Sequence, residues 1–195
     1  MAELSIIGLS GSVTRPSRTT ALVREILLRL EASTGSPTRL IEFIDAAPVL
    51  FGALTPAALA GEAKALVNAV ESADLLVVAS PVYRASYSGA FKHLFDLVHH
   101  AKFAGKPVIL AATGGTPLHG LVTEHQLRPL FGFLNTLTLP TTVYAVESDF
   151  VDHKLTSRKV IERIERVVEE ARTQLSLHAD NDDPSLNRPA VAAAG

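Results

Sequence analysis

The chain has 195 residues and a mass of 20.8 kDa; 47% of its residues are hydrophobic, 19% are charged, and the net charge is −2 with a pI near 6.4. That length suits one domain with its own core, while the composition excludes a wholly disordered chain and the charge balance argues against a nucleic-acid partner. With no cysteine there is no disulfide framework, thiolate zinc site or cysteine nucleophile.

Leu4 to Leu9 reads as a short buried strand, and Thr19 to Leu30 as a helix with Leu22, Val23, Ile26, Leu27 and Leu30 on one side. Thr38 to Ile44 is a weaker strand. Thr55-Pro56 supplies a cap and a first helical position, opening a helix with Leu59, Ala63, Leu66, Val67 and Val70 inward. Leu75 to Ala79 is an unbroken apolar run, as a central parallel strand requires. Ser88 caps a helix carrying Phe91, Leu94, Phe95 and Val98, and Pro107 to Ala112 is another buried strand. Thr116-Pro117 opens a fourth helix, Leu139 to Val146 forms a fifth strand, and Thr156 to Leu175 is the last helix. Residues 1–175 form the domain; from Ser176 the periodicity stops, and 176–195 reads as a mobile tail.

Despite a mean hydropathy of +0.25, no membrane span is expected. The long uncharged run Pro129–Val146 contains Gly132, Asn135, Pro140 and several threonines, unlike roughly 20 predominantly apolar residues. Met1-Ala2-Glu3-Leu4 lacks the basic region of a signal peptide, and a cytoplasmic location fits.

Strands alternating with helices imply an α/β fold with a parallel sheet covered on both faces. Such sheets bind ligands at the carboxyl ends of their strands. The segments after the first, third and fourth strands are SGSVTRPSRTT, SPVYRASYSG and TGGTPLHG. All are rich in Gly, Ser, Thr and Pro, and all fall on one sheet edge. In the first, hydroxyls at Ser10, Ser12 and Ser17, with Arg18 at the start of a helix, suit an anion; the alternative is a polar capping loop. The segment matches neither GxxxxGKS nor GxGxxG. In the second, Pro81, Val82, Tyr83 and Arg84 suit a flat heterocycle, or simply pack at the rim. In the third, Thr113, Gly114, Gly115 and Thr116 let a ring lie on backbone, or form a tight turn. His119 stands in the first turn of the fourth helix. His93, His99 and His100 make no metal-binding pattern.

In the fourth helix the apolar stripe of Leu118, Leu121 and Val122, with His125, resumes at Leu127, Leu130, Phe131 and Leu134. The five-residue step from Val122 to Leu127 is a one-residue slip, read as a π-bulge near His125 or as a kink at Pro129. Between Pro107 and Val146 the only formal charges are Glu124 and Arg128, so an apolar face is expected to meet another subunit.

The stretches SADLLVVASPVYRASYSGAFKHLFDLV, LAATGGTPLHGLVTEHQLRPLF and RPSRTT resemble the NAD(P)H-dependent FMN reductases of the flavodoxin-like superfamily, above all those serving methanesulfonate and alkanesulfonate two-component monooxygenases. The resemblance spans roughly residues 4 to 175. It implies a five-stranded doubly wound sheet of order 2-1-3-4-5, with FMN phosphate on Ser10, Ser12, Ser17, Arg18 and Thr19. The isoalloxazine would meet Pro81, Val82, Tyr83 and Arg84, and Thr113 to Thr116, with His119 nearby. NADH or NADPH would stack on the flavin, with Arg84 or Arg15 as candidates to hold it. Reduced FMN would leave for a monooxygenase. Similar enzymes carry a tyrosine inserted in the fourth helix that makes a π-helix at a tetramer interface. His125 takes that place here, implying a homo-oligomer, dimer or tetramer. No metal and no catalytic side chain is implied. The rival readings are a quinone or azo reductase with bound FMN and a flavodoxin-type electron carrier; the near-neutral charge argues against the carrier.

Overall fold

The computed structural model describes residues 4–181. In chain order the elements are β1 (Ile6–Ser10), α1 (Arg18–Thr34), β2 (Thr38–Glu42), α2 (Phe43–Leu50), α3 (Gly61–Ser72), β3 (Leu75–Pro81), α4 (Gly89–Leu97), β4 (Pro107–Gly114), α5 (Arg128–Phe133), β5 (Leu137–Thr138), β6 (Val143–Val146), β7 (Phe150–Val151), β8 (Lys154–Leu155) and α6 (Arg158–Asn181). The main sheet is parallel and ordered β2-β1-β3-β4, with β5 and β6 sharing the fifth position beside β4. β7 and β8 form a separate antiparallel hairpin.

Alternation along the buried strands sorts their side chains onto two faces. Ile7, Leu9, Leu76, Val78, Val108 and Leu110 meet α2, α3, α4 and α5 on one side. Ile6, Leu75, Val77, Ala79, Ile109 and Ala111 meet α1 and α6 on the other. The first face is rich in aromatics: Phe91 and Phe95 lie 4.9 Å apart between ring centroids, as do Phe95 and Phe131. On the second face Gly8 lets α1 close onto the sheet, since an added Cβ would stand 2.6 Å from Val23 Cγ1.

The structure departs from the sequence expectations in four places. β2 stops at Glu42, and α2 begins at once. Its buried Phe43, Ala46, Ala47 and Leu50 have helical spacing, which Pro48 obscures. Thr55-Pro56 and Thr116-Pro117 each open only one short 3-10 turn, Pro56–Ala58 and Pro117–His119. The fifth strand is split, because pairing with β4 slips by two residues between Thr138–Val108 and Val143–Ala111. Pro140, with no N–H, sits in the slip. The break is braced from outside: Glu170 accepts from Thr141 N (3.0 Å) and Oγ1 (2.6 Å), and Arg128 donates to Thr138 Oγ1 (2.7 Å) and the Leu139 carbonyl (3.4 Å). Finally, α6 runs through Asn181, past the expected boundary at Leu175; the rest of the expected tail lies outside the described residues.

The stripe slip in the fourth helical segment is a π-turn over Thr123–Leu127, in which Arg128 N–H donates to the Thr123 carbonyl five residues back. Val122 and Leu127 are both buried, so the five-residue step keeps them on the core side. Leu118 and Leu121, by contrast, are 88% and 61% exposed. Glu124 and Arg128 pair with each other at 2.5 Å.

Lys106 is buried, and its ammonium donates to the carbonyls of Ala73 (2.6 Å), Glu71 (2.7 Å) and Val70 (3.4 Å), closing the end of α3. Burial pulls its pKa below the ordinary lysine value, and Asp74 and Glu71 oppose that pull. Lys106→Met leaves these acceptors unpaired and is expected to cost about 2–3 kcal/mol in urea unfolding, with the slope unchanged.

Candidate functional site

Polar loops following β1, β3 and β4 meet at one edge of the sheet. Hydrogen bonds latch them together. Gly11 N donates to the Ala79 carbonyl (2.7 Å), and Val82 N to the Thr113 carbonyl (2.8 Å). Ser88 Oγ donates to the Gly11 carbonyl (2.7 Å) while accepting from Phe91 N (3.2 Å) as the cap of α4. Ser88 N donates to Ser80 Oγ (2.9 Å). Thr19 and Thr113, from the first and third loops, share a hydrogen bond of 2.6 Å between hydroxyls.

Between the latched loops lies a cleft of about 200 Å³ lined by Ser12, Thr14, Pro16, Ser17, Arg18, Thr19, Pro81, Val82, Tyr83, Thr113, Gly114, Gly115 and His153. One end of it gathers hydrogen-bond donors. Ser17 caps α1 by accepting from Thr20 N (3.2 Å), which leaves its own O–H free to donate. The first-turn amides of α1 have no acceptor within the helix, and the helix dipole favours negative charge there. Arg18 flanks this end, with Nη1 2.6 Å from Glu147 Oε1. Ser12 is buried, and its hydroxyl is shared with Thr14 at 3.3–3.4 Å. The Arg15–Pro16 peptide in this loop is cis.

The other end is flatter. Tyr83 and Ser86 pair as a two-residue hairpin turn (2.8 and 3.1 Å), with Arg84 and Ala85 at φ 51° and 65°, the left-handed values that such a turn demands. Ser86 Oγ donates to Gln126 Oε1 of the π-turn (3.1 Å). Tyr83 is 44% exposed. Opposite, an added Cβ on Gly115 would meet nothing within 4 Å, so its backbone face is open. Gly114 is crowded: Tyr144 covers it and donates from Oη to the Thr116 carbonyl at 2.7 Å. Burial pushes the Tyr144 phenol above its ordinary pKa.

Ser12, Ser17, Arg18, Thr19, Pro81, Val82, Tyr83, Thr113, Gly114 and Gly115, all named from the sequence, therefore share one cleft. Five others stand outside its lining. Ser10 is fully buried, and its hydroxyl is bound to Thr20 (2.8 Å), because a strand-end serine on the α1 face points into the helix. Arg84 sits at the hairpin tip, and Thr116 and His119 belong to an exposed 3-10 turn. Arg15 is held by Asp45 (2.5 Å) and Glu42 (3.1 Å). His153 escaped sequence reasoning: it lies at the tip of the β7–β8 hairpin at φ 60°, and no local pattern foretells that the hairpin folds back over α1. Gln126 escaped because its contact crosses 40 residues. His93 is occupied by the Leu50 and Ala53 carbonyls (3.1 and 3.0 Å), and among the described residues no acidic, histidine or cysteine group could hold a metal. A larger hollow, about 370 Å³, lies around the amino-terminal ends of β1 and β2; its wall carries one charged residue, Arg39, and no comparable donor set.

A doubly wound parallel sheet with a cluster of donors at the first helix and an open backbone platform beside it defines a mononucleotide-binding α/β protein. Residues 4–150 match the family model of NADPH-dependent FMN reductases, and the chain belongs to that family. It is 46% identical over 175 residues to the NADH-dependent FMN reductase SfnF of Pseudomonas fluorescens, covering 90% of this chain and 94% of that protein. It is 45% identical over 170 residues to the FMN reductase (NADPH) of Pseudomonas aeruginosa, covering 87% and 91%. Among solved structures, the apo form of the NADH:FMN oxidoreductase EmoB superposes with a TM-score of 0.79 at 30% identity, covering 95% of this chain and 97% of that one.

The Gly114–Tyr144 contact gives a test. A Cβ at position 114 would stand 2.1 Å from Tyr144 Oη but 3.1 Å from the ring carbon bearing it. Gly114→Ala is expected to destabilise the protein by more than about 1 kcal/mol, the overpacking range. Its cost should shrink clearly in the Tyr144→Phe background, as a double-mutant cycle by thermal unfolding would record.

Proposed function

We propose that this protein is an NAD(P)H:FMN oxidoreductase that hands reduced FMN to a partner monooxygenase of the sulfonate type. The cleft at the carboxyl ends of β1, β3 and β4 is the observation that carries the reading. Its donor set suits a phosphate monoester: hydroxyls at Ser12 and Ser17, the α1 amides and a guanidinium. Its volume of about 200 Å³ is below the roughly 300–1,000 Å³ of pockets that enclose a ligand. It therefore suits a phosphate and its tether, with the ring across an open rim.

In this reading Arg18, Ser12, Ser17 and the first turn of α1 hold the phosphate. Pro81, Val82 and Tyr83 on one side, and Thr113, Gly114 and Gly115 on the other, orient the ring and keep water from one side of it. Arg84, Thr116 and His119, outside the cleft lining, are left to approach the flavin rim or the nucleotide. When bound, FMN supplies the chemistry, accepting a hydride from the nicotinamide. The chain's contribution is positioning, which needs no general acid or base. Relatives of nearly equal identity bear NADH and NADPH in their names, and either nucleotide is a candidate hydride donor here.

The exposed apolar side chains Leu118, Leu121 and Phe133 around the π-turn support a homo-oligomer, dimer or tetramer, with His125 near its interface. No helix among the described residues is long and apolar enough to cross a membrane, and a cytoplasmic enzyme fits the reading.

Flavin-stripped protein is expected to oxidise NADH or NADPH in a saturable, FMN-dependent manner. FMN binding without turnover would favour an electron carrier. Arg18→Ala is expected to weaken FMN binding by about 1.5–3 kcal/mol, the range for a charge-assisted bond, in fluorescence titration. Light scattering at micromolar concentration is expected to give a mass above the 20.8 kDa of one chain.

A further inference from the structure

We propose that Glu147 is an internal competitor for the phosphate subsite, holding Arg18 when no anion is present and so setting a modest affinity for FMN. The proposal rests on the reading that the cleft takes FMN by its phosphate.

Arg18 lines the cleft, and its Nη1 lies 2.6 Å from Glu147 Oε1. The carboxylate thus meets the guanidinium that the cleft offers to an anion. Glu147 is presented from a defined place, the first residue of the 3-10 turn Glu147–Asp149 that follows β6. Asp149 fastens that turn. Its carboxylate accepts from Val146 N (2.7 Å), and its carbonyl accepts from Thr156 N (2.9 Å) and Ser157 N (3.2 Å). The backbone carrying Glu147 is therefore held, whereas its side chain is 72% exposed and that of Arg18 is 36% exposed. A pair so open to water contributes little to folding, so its larger consequence is for what else Arg18 can bind.

A phosphate dianion arriving at Arg18 faces two costs. It must take over a guanidinium already engaged, and it comes to rest near a second negative charge that repels it. Both costs act on any ligand bearing the phosphate and neither acts on one lacking it. The repulsion also shortens the lifetime of the bound state. For a flavin that must depart after reduction, a built-in counter-anion is a means of release.

The test compares FMN with riboflavin, which has the same ring and no phosphate, on flavin-stripped wild type, Glu147→Gln and Arg18→Ala. Binding is read by flavin fluorescence and dissociation by stopped flow. Glu147→Gln should bind FMN about two- to tenfold tighter, the size expected for an exposed charge, with slower dissociation. Riboflavin affinity should be unchanged, and the gain should shrink as salt is raised. Equal or weaker FMN binding by Glu147→Gln would overturn the proposal, as would an equal gain for riboflavin. Failure of the underlying reading has a different signature: wild type that does not prefer FMN to riboflavin, with Arg18→Ala binding FMN normally, removes the phosphate subsite and the proposal with it. Unchanged melting temperature separates these effects from misfolding.

Discussion

The hydroxyl of Ser88 is the junction on which the site depends. It caps α4 through Phe91 N, and it clamps the first loop through the Gly11 carbonyl. Its own amide is held by Ser80 at the end of β3. Parallel strands end with backbone groups that the ladder no longer pairs, and buried groups of this kind must find partners. Here the loops satisfy one another: Gly11 bonds to Ala79, Val82 to Thr113, and Thr19 to Thr113 through their hydroxyls. Satisfying those groups fixes the loops in place, so the cleft is shaped by the fold rather than by its ligand.

Charge follows the same economy. The forty residues from Pro107 to Val146 carry only Glu124 and Arg128, and these pair while Arg128 also braces the break in the fifth strand. Hydrogen bonding to Arg128 keeps the Glu124 carboxyl below its ordinary pKa. Arg15, the other arginine of the first loop, is taken by Asp45 and Glu42. Arg18 is the arginine that faces the cleft, and its partner Glu147 is mostly in water. An exposed pair is cheap to break.

The π-turn links the core to the rim of the site. Its extra residue keeps Val122 and Leu127 buried on either side of the turn. It also sends Thr123 to Thr142 (3.1 Å) beside the broken fifth strand, and Gln126 to Ser86 beneath the Tyr83 hairpin. An insertion that would misdirect a regular helix thus ties two loops to one turn, leaving Leu118 and Leu121 facing outward.

Beyond Thr19, which the family resemblance supplied, the sequence by itself determined the layers, the alternation of strands and helices, the sheet edge carrying the three loops, and nine residues of the cleft. These follow from local pattern: apolar runs, helical spacing, caps and loop chemistry act within a few residues. It also carried the phase slip at His125, because periodicity records an extra residue directly. Only the tertiary structure decided the rest. Ser10 turned inward to Thr20, Arg15 found acids 27 and 30 residues away, and the fifth strand broke at Pro140. Glu147 came to Arg18, and His153 came to line the cleft. Most of these rest on contacts between segments far apart in the chain, settled by packing and charge that no local pattern encodes.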